Sequence, residues 1–395
     1  MENKYDVSII GGGPSGAFIA EKIASEGYNV SVFEKKDTIG EPIKCAGLVS
    51  KRVFEICNIN KEKIIQNKIT GANIHSPYDN CIRIGGDRVH AFVIDRKKFD
   101  QTLIKKATDQ GAKIHLENEL ISAKKIREHI ELKISKIGKH KCNLLIGADG
   151  PKSIVRRTFS FQEPKEFLIG IGAEIENSNL NSNFVEIFIG EKIAPGFFAW
   201  MIPTNNNGTR ARIGLCIKSN TKKNVKYYFN NFIKNKITSK YLKNIKINNI
   251  IGGIIPLGPP EKLYKSNVML VGDAASQVKP TSGGGIYTGL LSANFCSKVA
   301  IESIEKNKFT KDILKKYQKL YIKNIGGEIS KGMKFRKIFK HLKDDQMDYY
   351  IKKFQNKKII EIISKYGDMD YPSKLVPKLI KKSPSVLKTA TNLIK

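Results

Sequence analysis

The stretch from Asp6 to Glu34 constrains the fold more than any other part of this 395-residue chain. Residues 6–10 (DVSII) are a short β-branched run that meets Gly11-Gly12-Gly13-Pro14-Ser15-Gly16. A helical pattern over 17–27 follows, then a second strand over 29–33 that ends at Glu34. Strand, glycine turn, helix, strand and acid form one complete βαβ unit, the arrangement that binds dinucleotides. The glycines have different tasks. Gly11 permits the tight turn, Gly13 lets the backbone approach a pyrophosphate, and Gly16 lets helix pack on strand. The helix N-terminus offers unpaired N–H groups and a positive dipole end to that pyrophosphate. Glu34 stands where a carboxylate accepts both ribose hydroxyls of an adenosine, which disfavours a 2′-phosphate and favours FAD or NAD over NADP.

Further along, Phe99, Leu103 and Ala107 recur at helical spacing within 95–112, and Gly111 closes that helix. Residues 114–116 and 120–123 read as strands, 126–141 as a small exposed hairpin, and 143–146 as an apolar strand entering Gly147-Ala148-Asp149-Gly150. Residues 165–255 are strand-rich, most clearly at 184–189, 197–202 and 212–217. Another buried strand over 267–271 ends at Gly272-Asp273, ahead of Pro280-Thr281-Ser282-Gly283-Gly284-Gly285 and a helix from Ile286. The expected architecture is α/β. A discontinuous Rossmann-type nucleotide-binding domain spans 1–164 and 256–300, an inserted β-sheet substrate domain spans 165–255, and a basic helical region spans 301–395.

Composition adds mainly a charge. The chain carries 69 basic and 37 acidic residues, a formal net charge of +32. Such a field favours anionic partners. Only 10 of the basic residues are Arg, however, and Lys is the weaker choice for bidentate base or phosphate recognition. Abundant Lys, Asn and Ile also match AT-rich codons, so nucleic acid is not expected as a partner. No run approaches the roughly 18 apolar residues of a membrane span. The N-terminus lacks a basic region followed by an apolar run, so a cytoplasmic protein is expected. Cysteines at 45, 57, 81, 142, 216 and 296 form no CxxC pair, so neither a metal site nor a disulfide framework is expected. All but Cys45 read as small buried hydrophobes.

Several separated motifs then agree. GGGPSG with Glu34, DRKKFD at 95–100, GADGPKSIVR at 147–156, and GDAAS followed by PTSGGGI resemble the p-hydroxybenzoate-hydroxylase-like flavoprotein superfamily, in that family's order. The resemblance implies FAD extended across the Rossmann-type domain. It implies that Arg96 contacts the phosphate or ribityl region and that Asp273 binds the ribityl chain. It further implies that Gly284, Gly285 and Ile286 present backbone N–H groups to the flavin ring, and that Ser15, Cys45, Ala46, Gly47 and Leu120 touch the cofactor. A glycine loop opening a helix stabilises the negative charge of a reduced flavin.

Two further motifs narrow the resemblance. Pro42-Ile43-Lys44-Cys45-Ala46-Gly47 fits PxxCxG, and Phe198-Ala199-Trp200-Met201-Ile202-Pro203 resembles YxWxFP, with Phe198 for Tyr and Ile202 for Phe. These are similar to the geranylgeranyl reductases, including the archaeal digeranylgeranylglycerophospholipid reductases, which use reduced FAD to saturate C=C bonds of prenyl chains. The family's following GxG appears as Gly214-Leu215-Cys216, after a longer polar stretch. On this reading Cys45 is the catalytic candidate, and Trp200 and Phe198 line an apolar substrate tunnel of the kind that walls apolar ligands. A prenylated lipid is the expected substrate, and a ferredoxin or NAD(P)H the expected electron donor. Phe335, Ile338, Phe339 and Leu342 fall on one helical face among Lys331, Lys334, Arg336, Lys337, Lys340 and Lys343, the pattern of an interfacial helix on the anionic inner membrane face. The runner-up is a flavin-dependent monooxygenase, which shares the FAD motifs but not PxxCxG or the Trp200 motif. A third alternative is a cationic binding protein on an inert FAD fold.

Overall fold

The computed structural model describes residues 4–43 and 45–382. Its first sheet is built around Lys4–Ile10, which pairs in parallel with Val30–Phe33 on one side and Gly138–Gly147 on the other. Lys113–His115 extends it beyond Val30–Phe33, and Val268–Leu270 extends it beyond Gly138–Gly147, both in parallel. These strands are nearly continuous apolar runs because helices cover the sheet. Pro14–Ala24 packs against Arg96–Asp109 and Ile286–Glu305. The strand ends then converge, placing Gly11, Ala148, Asp149, Gly272 and Asp273 around one crevice at the carboxyl edge, where open α/β sheets bind ligands. The expected exposed hairpin is part of this sheet: His129–Ile134 pairs with Leu120–Ile126 and with the long strand Gly138–Gly147.

The second sheet has seven strands and is not confined to 165–255. Its order is Lys246–Leu257, Glu166–Glu176, Arg210–Lys218, Phe198–Pro203, Phe184–Ile189, Gly71–His75 and Cys81–Gly85. The last two come from the first half of the chain, joined through the parallel pairing of Phe184–Ile189 with Gly71–His75. A parallel pair needs a long crossover, which leaves no local turn signal to reveal it. Cys81 opens the edge strand of this sheet and is half-buried, unlike Cys57, Cys142, Cys216 and Cys296, which are buried as expected. Helices Val225–Lys234 and Ser239–Leu242 cover one face, with Phe229, Phe232 and Leu242 packed on Phe188, Met201 and Leu215. The other face turns toward the three-stranded sheet of Leu48–Val49, Ala91–Ile94 and Ile65–Ile69.

The C-terminal region packs on both units. Leu314 and Tyr317 of Lys311–Tyr321 enter the core of the first. The helix Gly327–Phe339 corrects the expected basic stripe. Arg336 is only 2% exposed, pairs bidentately with Glu166 (2.9 and 2.6 Å) and donates to the Gly196 carbonyl (3.0 Å). A buried guanidinium held this way ties helix to sheet and offers nothing to a surface. Phe335 is 52% exposed and stacks on Phe339, while Ile338, Phe339 and Leu342 are half-buried. Among the described residues, no helix is long and apolar enough to cross a membrane, and no group of three or more His, Cys, Asp or Glu is placed to hold a metal.

Candidate active site

The three glycines of the first turn differ physically. Gly11 has φ +104°, and a Cβ there would collide with the Ala148 carbonyl. A Cβ on Gly16 would strike the Gly11 carbonyl, so this residue sets the close approach of helix to turn. At Gly13, the helix N-cap, a Cβ would meet nothing within 4 Å. That open cradle at a helix N-terminus fits a pyrophosphate. The Glu34 carboxylate accepts from the Gly12 amide (2.8 Å) and the Lys36 amide (3.0 Å), which holds it beside the turn with lone pairs left for ribose hydroxyls. Ser15 Oγ lies 2.9 Å from where a Cβ would sit on Gly272 and on Gly289, so glycines at both positions let the turn seat against the later segment.

Asp273 lies across the crevice. Its carboxylate accepts no hydrogen bond from any described residue, which leaves both oxygens to a ligand's hydroxyls. Burial pushes this carboxyl above the usual carboxylate range, with Arg96 pulling the other way. Arg96 is held bidentately by Asp100 (3.1 and 2.9 Å) at the start of Arg96–Asp109. Burial alone would lower the Arg96 pKa, but Asp100 and Cys45 beside it hold it above the usual arginine value. The Arg96 charge is thus felt by Asp273, and Cys45 acts on Arg96 in turn. Gly285 caps the 20-residue helix Ile286–Glu305, and a Cβ on it would sit 3.0 Å from Asp273 Oδ1, so the Asp273 segment and the loop 279–285 meet. The fit to FAD is thus carried by an open glycine cradle, a carboxylate with free oxygens and a glycine loop at a long helix N-terminus.

Cys45 is half-buried, and its Sγ accepts from the Gly47 amide (3.3 Å). Gly47 has φ +71°, and a Cβ there would collide with Arg212 and the Ile94 carbonyl. Sequence reasoning missed Arg212. Its guanidinium donates to Ala46 O (3.2 Å), Ile94 O (2.9 Å), Gln66 Oε1 (2.9 Å) and Glu174 Oε1 (3.0 Å), so one buried cation fixes the Cys45 loop to the second sheet. The only hint was a charge at the head of the apolar run 213–217. Trp200 borders two apolar clusters: that of Ile69, Ala91, Val93, Val185 and Ile202, which Ala46, Leu48 and Met369 also border, and that of Phe197, Cys216 and Val278, which Phe198 also borders. It therefore bridges the Cys45 loop and the approach to the loop 279–285. Phe198 lies edge-on to Trp200 (6.1 Å) and stacks on Phe197 (4.4 Å). Gly214 gives the Trp200 ring its seat, since a Cβ there would lie 2.5 Å from the indole, and Gly170 likewise makes room for the Cys216 side chain.

Leu120 is 2% exposed in the first core, so only its main chain is available to a ligand. Asp149 caps Ile154–Thr158 by accepting from Ser153 Oγ (2.6 Å), Ile154 N (2.6 Å) and Val155 N (3.1 Å). Also unforeseen is Lys279, 6% exposed within the glycine loop and paired with Asp370 (2.8 Å).

Residues 4–319 match the family model described as FAD binding domain. The chain is 34% identical over 386 residues to an uncharacterized protein of Methanocaldococcus jannaschii, covering 96% of this chain and 95% of that protein. It is 31% identical over 394 residues to digeranylgeranylglycerophospholipid reductase 1 of Methanosphaera stadtmanae, covering 98% and 96%. Among solved structures, a geranylgeranyl bacteriochlorophyll reductase-like protein from Thermoplasma acidophilum superposes with a TM-score of 0.85 at 23% identity, covering 99% of both chains.

Proposed function

Because this chain belongs to the FAD-binding-domain family, in the group with the digeranylgeranylglycerophospholipid reductases, we propose that it saturates C=C bonds in the prenyl chains of membrane ether-lipid precursors. It is an FAD-dependent oxidoreductase. When bound, reduced FAD supplies the hydride. The protein's own part is to bind and align an apolar chain, exclude water and hold a proton at the Cys45 Sγ. Arg212 orients the Cys45 loop through Ala46 O, and Arg96, fixed by Asp100, supplies a cation that acts on Asp273.

The position of Trp200 supports this substrate class best. An aromatic side chain bordering both the apolar cluster on the Cys45 side and the one that holds Val278 suits a hydrocarbon chain and offers few polar groups to a hydroxylated or charged substrate. The test is mass spectrometry of geranylgeranyl phospholipid incubated with dithionite and enzyme. Mass gains in steps of two hydrogens are expected, and incorporation of oxygen or no change of mass would refute the assignment. Trp200→Ala should lower kcat/KM on that lipid about tenfold, a loss of about 1.4 kcal/mol, with FAD content unchanged.

Such a lipid leaves a bilayer only at a cost of about 0.8 kcal/mol per exposed CH₂, so the enzyme must meet it at the membrane. Phe335, Val376 and Ile380 are exposed apolar residues on lysine-bearing helices, and Val376 and Ile380 are one helical turn apart. Co-sedimentation with anionic vesicles is expected, weakening as salt screens the lysines and dropping in Phe335→Ser/Ile380→Ser. A protein that stays in the supernatant at low salt would remove the membrane from this account.

A further inference from the structure

Four consecutive residues far beyond the nucleotide-binding domain touch two sides of the site, the segment that follows the Cys45 loop and the loop 279–285. Asp370 is 1% exposed and accepts from Ser50 Oγ (2.5 Å), Arg52 Nη1 (3.1 Å) and Lys279 Nζ (2.8 Å). Ser50 and Arg52 follow directly on Cys45-Ala46-Gly47 and its short strand Leu48–Val49. Lys279 belongs to the glycine loop on the other side. Its amide donates to Gly284 O (3.1 Å), its carbonyl accepts from Gly283 N (2.9 Å), and its Nζ lies 3.5 Å from where a Cβ on Gly284 would sit.

The neighbours of Asp370 complete the contact. Asp368 takes both Arg52 nitrogens (2.8 and 2.7 Å) and accepts the amides of Asp370 and Tyr371, which sets the turn. The Met369 carbonyl accepts from Lys279 Nζ (2.9 Å), while its side chain packs on the apolar cluster that Ala46, Leu48 and Trp200 also border. Tyr371 reaches the Tyr287 hydroxyl (3.1 Å), one residue after Ile286 in the flavin-side helix.

We propose that residues 368–371 are a clasp that sets the Cys45 loop against the flavin loop 279–285, with Asp370 as its positioning residue. This rests on the proposed function only for the roles of those two loops. A carboxylate buried this deeply is stable only while its cationic and hydroxyl donors stay with it, and a buried ammonium likewise needs its anion. The donors come from two elements with no covalent tie nearer than 226 residues of chain, so the charges can all be satisfied only when the two loops are held together. The region expected from sequence to be a basic helical appendage thus supplies a wall of the site.

The experiment uses the full-length holoprotein and iodoacetamide, with the alkylation rate of each cysteine followed by peptide mass spectrometry. Asp370→Asn keeps the side-chain volume but removes the charge. Alkylation of Cys45 should rise about tenfold while that of Cys81 stays within about twofold, and Lys279→Met should act in the same sense. The double variant should exceed neither single one, because both changes break one link. Cys81 is a stringent control, since its carbonyl accepts from Gln355 (3.1 Å), next to the helix Lys357–Tyr366 that leads into the clasp. An unchanged or lower Cys45 rate overturns the proposal. A parallel rise at Cys81 does so too, because it reports fraying of the C-terminal helices. If Asp370→Asn does not fold, Ser50→Ala removes one hydroxyl on the Cys45 side alone, and it must give the same Cys45-selective rise or the proposal falls. No prenyl substrate enters this assay, so a failed lipid reduction leaves its outcome untouched.

Discussion

A Gly13→Val variant is expected to fold and to emerge from purification without FAD. The backbone at Gly13, with φ −69° and ψ 178°, is open to any residue, so valine brings no strain. A Cβ there meets no protein atom within 4 Å, so the new side chain projects into the cradle rather than into the core. The pyrophosphate needs that space and the amides behind it. A loss of at least about 100-fold in FAD affinity, about 2.7 kcal/mol, is expected from blocked approach alone. Absorbance of bound flavin per polypeptide measures it, and thermal unfolding of the apoprotein checks the fold. Flavin bound one-to-one in the variant would show that the cofactor's phosphates lie elsewhere. Gly11 and Gly16 are poor substitutes for this test, because side chains there collide with the Ala148 and Gly11 carbonyls and disturb the fold itself.

Cys45→Ser should retain FAD yet lose about 100-fold in prenyl turnover, the lower range of what positioned proton transfer contributes. Saturating a C=C bond needs a proton as well as a hydride, and Cys45, on the loop that Arg212 fixes through Ala46 O, is the residue we propose to supply it. Serine keeps the size and can still accept from the Gly47 amide, so the loop geometry should survive. A hydroxyl is a far weaker acid than a thiol, whose free pKa is about 8.5. Turnover is compared at equal flavin loading. Full activity in the serine variant would leave Cys45 as a packing residue, and loss of flavin would make it a cofactor contact instead.

The nucleotide-binding part of this site was legible because its physics is local. Gly11, Gly13, Gly16 and Glu34 lie within one strand–turn–helix–strand unit, so the turn, the open cradle, the helix approach and the acid can be read together from one short segment. Asp273 and the loop ending at Gly285 were equally readable as a strand end followed by a glycine-opened helix. The second sheet was read in part: five of its strands lie in 166–257, but Gly71–His75 and Cys81–Gly85 reach it by pairing across more than 100 residues. Arg336 was read as a membrane-facing cation because its lysine-rich surroundings are those of an exposed helix, yet Glu166 draws it inward.

What only the tertiary structure decided is how the site is closed. Lys279 is one of 59 lysines, and nothing beside it in the chain marks it as buried. Asp370 is one of ten acids in the basic region 301–395, and Arg212 one of three charged residues in Arg210–Lys218. Their roles exist only because charges taken out of water must be paired, and the partners that pair them lie far away along the chain. Backbone conformation is a short-range property and can be read along the sequence. Burial and charge pairing depend on which distant segments meet, and that is determined only when the whole chain has packed.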